Sequence, residues 1–179
     1  MSDLSENHWA PRRYRAHDRA ELALALAPDL EKLYPGGSSW LCGRLDDIEA
    51  GRARAMVVAR PGALYGVAIE TPKEPGRVKL STLWVAAGQR RLGVGSSLLR
   101  RCRRGWLAAE VERVDVTCAT VVGPALAPLL HASGFSLERV DRDRYGEGRH
   151  EMVYSWFAEA DLEAPGRPRL RAPTPPPCK

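Results

Sequence analysis

Long apolar runs and paired cysteines are both missing from this sequence of 179 residues. No segment approaches the roughly 20 consecutive apolar residues that a membrane helix requires, and the N-terminal region contains no apolar stretch typical of signal peptides. The four cysteines form neither a CxxC pair nor a cluster with histidine. We therefore expect a soluble, cytoplasmic protein that is not bound to a membrane, keeps its cysteines as thiols and holds no metal.

A strong excess of either charge is also absent, since 27 lysines and arginines face 22 aspartates and glutamates and give a net charge of +5. A mildly basic protein favours polyanions as partners. Such a partner is either a phosphate-bearing cofactor or nucleic acid, and net charge does not separate the two. With 44% hydrophobic residues and a mean hydropathy of −0.33, the chain has the composition of one globular domain.

Hydrophobic periodicity predicts helices and strands in the order α-α-β-β-β-α-β-α-β-β. Six prolines between Ala164 and Lys179 exclude a continuous helix or strand in that segment. We therefore divide the chain into an N-terminal extension (1–19), one domain (20–160) and a disordered, proline-rich tail (161–179). The predicted helices are Ala20–Leu33, Leu41–Ala50, Gly93–Glu110 and Pro124–Ser133, and the predicted strands are Arg54–Arg60, Leu64–Thr71, Val78–Ala86, Val114–Cys118, Ser136–Arg142 and Glu151–Phe157.

The most informative stretch, residues 83–99, joins the third strand to the third helix through a glycine-containing loop. A helix N-terminus presents unpaired N–H groups and the positive end of the helix dipole. Gly93 and Gly95 would let an anion approach the backbone, and Arg90 and Arg91 add positive charge. The pattern favours a diphosphate site, although the same glycines also suit an ordinary tight turn. It lacks the Gly-Lys-Ser/Thr of a Walker loop and the third glycine of a Rossmann loop.

This stretch resembles the acetyl-coenzyme A motif of the GNAT N-acetyltransferases, because Leu83-x-Val85 is followed by Arg90-x-x-Gly93-x-Gly95 and two leucines. The order of helices and strands resembles that family as well, over about residues 21–157. The resemblance implies an α/β fold with a mixed, mostly antiparallel central sheet flanked by helices. It also implies that acetyl-CoA is the co-substrate. The implied cofactor-binding residues are Val85, Arg90, Arg91, Leu92, Gly93, Val94, Gly95 and Ser96.

The resemblance assigns a role to each part of this set. The backbone amides of residues 91–96 would hold the pyrophosphate, and the backbone around Val85 would pair with the pantetheine arm. The strand from Val114 to Ala119 would diverge from the preceding strand to admit that arm.

The sequence departs from the family at the proton donor. Many GNAT enzymes carry a tyrosine four residues before a Gly-Phe pair, where it protonates the leaving thiolate, whereas this chain has Leu130 ahead of Gly134 and Phe135. Gly123 stands where those enzymes often have asparagine. An active enzyme would need another acid, and our first candidate is Tyr145, in the polar loop between the last two strands. The competing interpretation of that loop is an ordinary charged hairpin turn.

Two further residues are candidates for proton transfer. His131 adjoins the position of the missing tyrosine, although a lone histidine on an apolar helix is more often structural. Glu70, Ser81 and Thr82 lie on the strands that would face the acceptor, and any of them could hold a water molecule that accepts the amine proton. Glu70 is the only carboxylate among the three. A solvated glutamate at a strand end is the competing interpretation of Glu70.

Two functions follow from these observations. The first is an enzyme, an acetyl-CoA-dependent N-acetyltransferase that acts on a primary amine of a protein, an aminoacyl conjugate such as charged tRNA, or a small molecule. The second is a non-catalytic module with the same fold that senses acyl-CoA or contacts nucleic acid, favoured by the missing tyrosine and the basic charge. Turnover with an amine panel would separate the two.

Overall fold

The computed structural model describes residues 9–158. Within that range the chain forms four α-helices and seven strands, with short 3-10 helices at Ala16–Asp18 and Ala87–Gln89. The predicted tail (161–179) lies outside the described residues. The helices are α1 (Arg19–Leu33), α2 (Gly37–Glu49), α3 (Val94–Ala108) and α4 (Gly123–Ala132), and the strands are β1 (Arg12–Arg13), β2 (Arg54–Arg60), β3 (Ala63–Pro72), β4 (Arg77–Val85), β5 (Arg113–Ala119), β6 (Ser136–Asp141) and β7 (Glu151–Phe157).

The strands form one sheet in the order β1-β2-β3-β4-β5-β7-β6. Every neighbouring pair is antiparallel except β4 and β5, which run parallel because α3 carries the chain between them. The predicted mixed, mostly antiparallel sheet flanked by helices is therefore confirmed.

Helices cover the sheet on both faces and bury two separate cores. On the face that we call the α3 face, α3 and α4 bury Leu98, Trp106 and Leu130 against the sheet. On the opposite face, the α1 face, α1 and α2 pack leucines such as Leu22 and Leu41 on β2 and β3. The four-residue spacing of apolar side chains along α3 matches one helical face, which is why the sequence already predicted this helix.

The corner between α1 and α2 is tighter than the sequence predicted, because α2 begins at Gly37 rather than at Leu41. A Cβ atom on Gly37 would lie 2.5 Å from the Leu30 carbonyl oxygen, so only glycine permits this approach. The Glu31 carboxylate accepts hydrogen bonds from the N–H groups of Gly36 and Ser38, both at 2.9 Å. These bonds satisfy donors at the start of α2 that a helix leaves unpaired.

Residues 9–19, which the sequence analysis assigned to an N-terminal extension, pack on the domain. β1 adds a short strand to the edge of β2. Asp18 is buried and accepts two hydrogen bonds from the Arg12 guanidinium, at 2.6 and 2.8 Å. Among the described helices, none is both long and apolar enough to cross a membrane.

Candidate acetyl-transfer site

The sheet opens between its two parallel strands. β4 and β5 pair only from Arg77 to Leu80 and from Arg113 to Val116. Beyond these positions β4 continues to Val85 and β5 continues to Ala119, but the two strands no longer pair with each other. A V-shaped gap therefore separates their ends. The predicted divergence of β5 is confirmed from Thr117 onward, while residues 113–116 still pair.

A β-bulge marks the bottom of this gap. Ile69 of β3 pairs with Thr82 and the next residue, Glu70, pairs with Leu80, so Ser81 is the extra residue on β4. A bulge leaves the backbone of the extra residue outside the regular ladder. The Ser81 hydroxyl is hydrogen-bonded to the Thr71 hydroxyl at 2.8 Å, which places both side chains on the same face.

The loop between β4 and α3 presents six consecutive backbone donors. The N–H groups of residues 91–96 make no hydrogen bond to any other residue between positions 9 and 158. Arg91 and Gly93 have positive φ angles of 67° and 88°, which turn the chain sharply before the helix. A row of unpaired amides at a helix N-terminus attracts anions, because amide dipoles and the helix dipole both favour negative charge.

Neighbouring side chains hold this loop in place. The Trp9 indole donates a hydrogen bond of 2.6 Å to the Leu92 carbonyl oxygen, and its ring packs edge-on against Tyr65. The Arg90 guanidinium donates a 3.0 Å hydrogen bond to the Val85 carbonyl oxygen at the end of β4. The Trp9 contact could not be predicted from the sequence, because Trp9 and Leu92 are 83 positions apart along the chain.

Gly95 has a packing role besides the role predicted for it. A Cβ atom on Gly95 would lie 2.7 Å from Leu129 Cδ2 and 3.7 Å from Val85 Cγ2. The absent side chain therefore lets α4 pack closely on α3. A valine at this position would disturb that contact as well as the approach to the amides.

On the α1 face, Tyr34 connects the C-terminal end of α1 to β5, which borders the gap, and to its neighbour β7. Its hydroxyl donates a 3.0 Å hydrogen bond to Glu151 Oε1 on β7 and accepts one of 3.2 Å from the Ala119 N–H on β5. Glu151 is 2% exposed. Sequence reasoning missed both residues, because Tyr34 and Glu151 stand 117 positions apart and meet only once the sheet has formed.

The surroundings of Tyr34 and Glu151 favour the protonated form of each group. Burial raises the pKa of the Tyr34 phenol, and the charge of Glu151 raises it further. Burial also raises the pKa of Glu151, against the opposing effects of the Tyr34 hydrogen bond and the charges of Arg144 and Lys79. Burial and the nearby Arg144 lower the pKa of Lys79.

The structure brings only one of the three predicted catalytic residues close to this pair. Tyr145 is half exposed, and its ring packs edge-on against Tyr34 with the centroids 5.8 Å apart. His131 is exposed on α4, with its ring 5.8 Å from that of Tyr154, which is buried in the core of the α3 face. Leu130, at the position of the missing tyrosine, is fully buried.

Glu70 points to the α3 face and away from Tyr34. The Trp106 indole donates a 2.5 Å hydrogen bond to Glu70 Oε1, and Arg54 lies 3.9 Å from Oε2. Burial raises the pKa of this carboxyl group. It lines a cavity of about 200 Å³ together with Arg101 and Cys102. Among the described residues, no group of three or more His, Cys, Asp or Glu side chains could hold a metal ion.

Comparison with solved structures identifies the fold. The ribosomal-protein-alanine N-acetyltransferase of Brucella melitensis superposes with a TM-score of 0.69 at 16% identity, over 83% of this chain and 99% of that one. An acetyltransferase of Bacillus subtilis in complex with CoA superposes with a TM-score of 0.66 at 14% identity, over 84% and 99% of the two chains. This chain has the GNAT fold.

A third GNAT-fold structure, from Elizabethkingia anophelis with acetyl-CoA bound, superposes with a TM-score of 0.66 at 11% identity, over 86% of this chain and 100% of that one. No protein-family model matches the sequence, and no curated protein matches it significantly. The GNAT fold predicted from residues 83–99 and from the element order is confirmed, and it spans nearly the whole length of these neighbours.

Proposed function

We propose that this protein is an acetyl-CoA-dependent N-acetyltransferase that transfers an acetyl group to a primary amine. The observation that carries the proposal is the row of six unpaired amides at residues 91–96, which adjoins the gap between β4 and β5. The amides are suited to bind phosphate, and the gap is suited to admit an extended arm between the two strands. The combination fits coenzyme A better than it fits a nucleotide without such an arm.

The residues at this site fit the cofactor. The amides of residues 91–96 would hold the pyrophosphate, assisted by the charges of Arg90 and Arg91. The unpaired edge of β4 at residues 81–85 offers backbone groups to the pantetheine arm, much as a sheet edge accepts an added strand. Solved GNAT-fold neighbours contain CoA or acetyl-CoA, which supports this assignment. When bound, acetyl-CoA supplies an activated thioester.

The chain would contribute positioning and proton transfer. An amine must lose a proton during attack, and the sulfur must gain one on departure. The amine would approach from the α1 face, where Tyr34, Glu151 and Tyr145 lie beside the gap. Backbone N–H groups near the bulge at Ser81 are suited to stabilise the developing oxyanion.

The acceptor is tested with a panel of amines. A B. melitensis neighbour acetylates ribosomal-protein alanine, which recommends a peptide with a free N-terminal alanine as one member. A lysine side chain, an aminoacylated tRNA and a small polyamine are the others. An α-amine with a pKa near 8 is about 10% neutral at pH 7, whereas a lysine amine is only about 0.04% neutral, so each is assayed at two pH values.

Calorimetry with acetyl-CoA and a thiol-release assay test the proposal together. We expect micromolar binding and release of free CoA with at least one amine. Absence of binding at millimolar acetyl-CoA would refute the proposal. Binding without turnover across the panel would favour an acyl-CoA sensor. The buried Leu130 supports that alternative, because it stands where many GNAT enzymes have the tyrosine that protonates the thiolate.

A further inference from the structure

The Tyr34 hydroxyl lies at the edge of β5 that faces the gap. Adjacent residues of a strand direct their N–H groups to opposite edges. The Thr120 N–H donates to the His150 carbonyl oxygen on the β7 side, so the Ala119 N–H points toward β4. That N–H donates to Tyr34 Oη at 3.2 Å. The phenol oxygen therefore lies at the edge of β5 that faces β4, beyond the point where the two strands stop pairing.

Within residues 9–158, no other side-chain hydroxyl is hydrogen-bonded to the backbone of the diverging segment of β5. Tyr145 contacts Tyr34 through its ring, with the centroids 5.8 Å apart. The place of Leu130, in contrast, is filled by an apolar side chain of the core. The proton donor that α4 lacks has a counterpart at the end of α1.

Resting on the proposed acetyl transfer, we propose that the Tyr34 hydroxyl protonates the departing coenzyme A thiolate and that Glu151 restores its proton. The amine nitrogen forms a bond to the acetyl carbon, the carbon–sulfur bond breaks, and its electron pair stays on sulfur. The proton lost by the amine passes through one water molecule to the Glu151 carboxylate. Tyr34 gives its own proton to sulfur and takes the proton from Glu151 across their 3.0 Å hydrogen bond.

This relay neither consumes nor releases a net proton, and it leaves both side chains in their starting states. It requires a phenol that stays protonated and a carboxyl group able to hold a proton. Burial raises the pKa of Tyr34, which keeps the phenol protonated but makes it a weaker acid, so the return of a proton from Glu151 must accompany its donation to sulfur. Burial also raises the pKa of Glu151, which helps that carboxyl group to hold the proton it returns. The other titratable or charged groups that act on the pair are Lys79 on β4, Cys118 on β5, Asp141 on β6 and Arg144 in the following loop.

Tyr34→Phe tests the proposal, with Tyr14→Phe as a matched control. The Tyr14 hydroxyl also donates to a glutamate, Glu49 at 2.9 Å, but far from the gap. Loss of a general acid lowers turnover by about 10²-fold, so we expect this fall in kcat for Tyr34→Phe and wild-type kcat for the control. Acetyl-CoA affinity should be unchanged in both variants. If Tyr34→Phe keeps wild-type kcat, or if only Tyr145→Phe loses it, the proposal is wrong.

A second measurement distinguishes chemistry from a structural role and needs no acceptor. The thiol of bound CoA is titrated through the ultraviolet absorbance of its thiolate. A donor at Tyr34 stabilises the thiolate, so Tyr34→Phe should raise the pKa of the bound thiol by about one unit. An unchanged pKa in a folded, CoA-binding variant would overturn the proposal. If the wild type itself fails to bind CoA, the proposed function fails first, and this outcome is recognised before any variant is made.

Glu151→Gln examines the second half of the relay. Glutamine keeps an acceptor oxygen for the Tyr34 hydroxyl but cannot hold the amine's proton. We expect a fall in kcat of about tenfold or more, with little change in KM and with loss of the acidic limb of the kcat pH profile. Wild-type kcat and an unaltered profile would remove Glu151 from the relay.

Discussion

An aspartate at position 96 should stabilise the free protein and weaken its binding of CoA. Ser96 is the third residue of α3, is exposed, and has no acidic neighbour in the first turn. A negative charge there interacts favourably with the helix dipole by about 0.3–1 kcal/mol, which corresponds to about 1–4 °C in Tm for a chain of this size. The same charge repels a phosphate held by the amides of residues 91–96. At a contact distance of about 4 Å this repulsion amounts to about 1 kcal/mol in water and about 4 kcal/mol near a protein surface.

We therefore expect Ser96→Asp to bind CoA between about fivefold and several hundredfold more weakly than the wild type, while melting at an equal or higher temperature. Thermal melting and calorimetry give both quantities, and added salt should narrow the difference in affinity. Ser96→Asn is the control, because an asparagine side chain has the size of aspartate but carries no charge. If Ser96→Asp binds CoA as the wild type does, the phosphate lies elsewhere. Equal losses in both variants would indicate a steric effect.

Three further variants test the scaffold. Asp18→Asn should lose about 2–3 kcal/mol of unfolding free energy at pH 7 in urea melts, because it breaks the buried pair with Arg12. The Arg12 hydrogen bond lowers the pKa of Asp18, so this stability is present above the ordinary pKa near 3.9 and wanes below it, where variant and wild type should converge. Leu130→Tyr should unfold more easily by about 1–3 kcal/mol and gain no activity, since it overpacks the core; faster turnover would contradict this. Trp9→Phe loses the hydrogen bond to the loop between β4 and α3, and we expect calorimetry to show CoA binding weakened several-fold; unchanged affinity would show that CoA binding does not depend on this hydrogen bond.

The sequence predicted the local elements well because periodicity is a local property. β2 and β7 have the predicted bounds, and the other predicted elements shift by at most a few residues. The loop between β4 and α3 was equally visible in the sequence, since Arg90, Gly93 and Gly95 are close neighbours along the chain. It was harder to predict which side chains lie on the α1 face of the sheet and which lie on the α3 face.

Glu70 illustrates that limit. Alternation along β3 is regular, so Glu70 faces α3 while its neighbour Ile69 faces α1. The sequence shows neither which helices cover each face nor that β4 carries a bulge at Ser81. Tyr34 and Glu151 illustrate a second limit, because their contact depends on the order in which β5 and β7 join the sheet.

The packing of Trp9 and β1 sets where this domain can be shortened. A protein cut at residue 20, the boundary that periodicity suggests, would lose the indole that bonds the loop between β4 and α3, together with both members of the Arg12–Asp18 pair. Such a fragment would bring together two defects, a weakened cofactor site and an exposed edge of β2 that can pair with other chains. If such a fragment aggregated or failed to bind CoA, the cause would be the truncation rather than a property of the intact domain. Fragments for crystallisation or labelling should therefore begin ahead of Trp9.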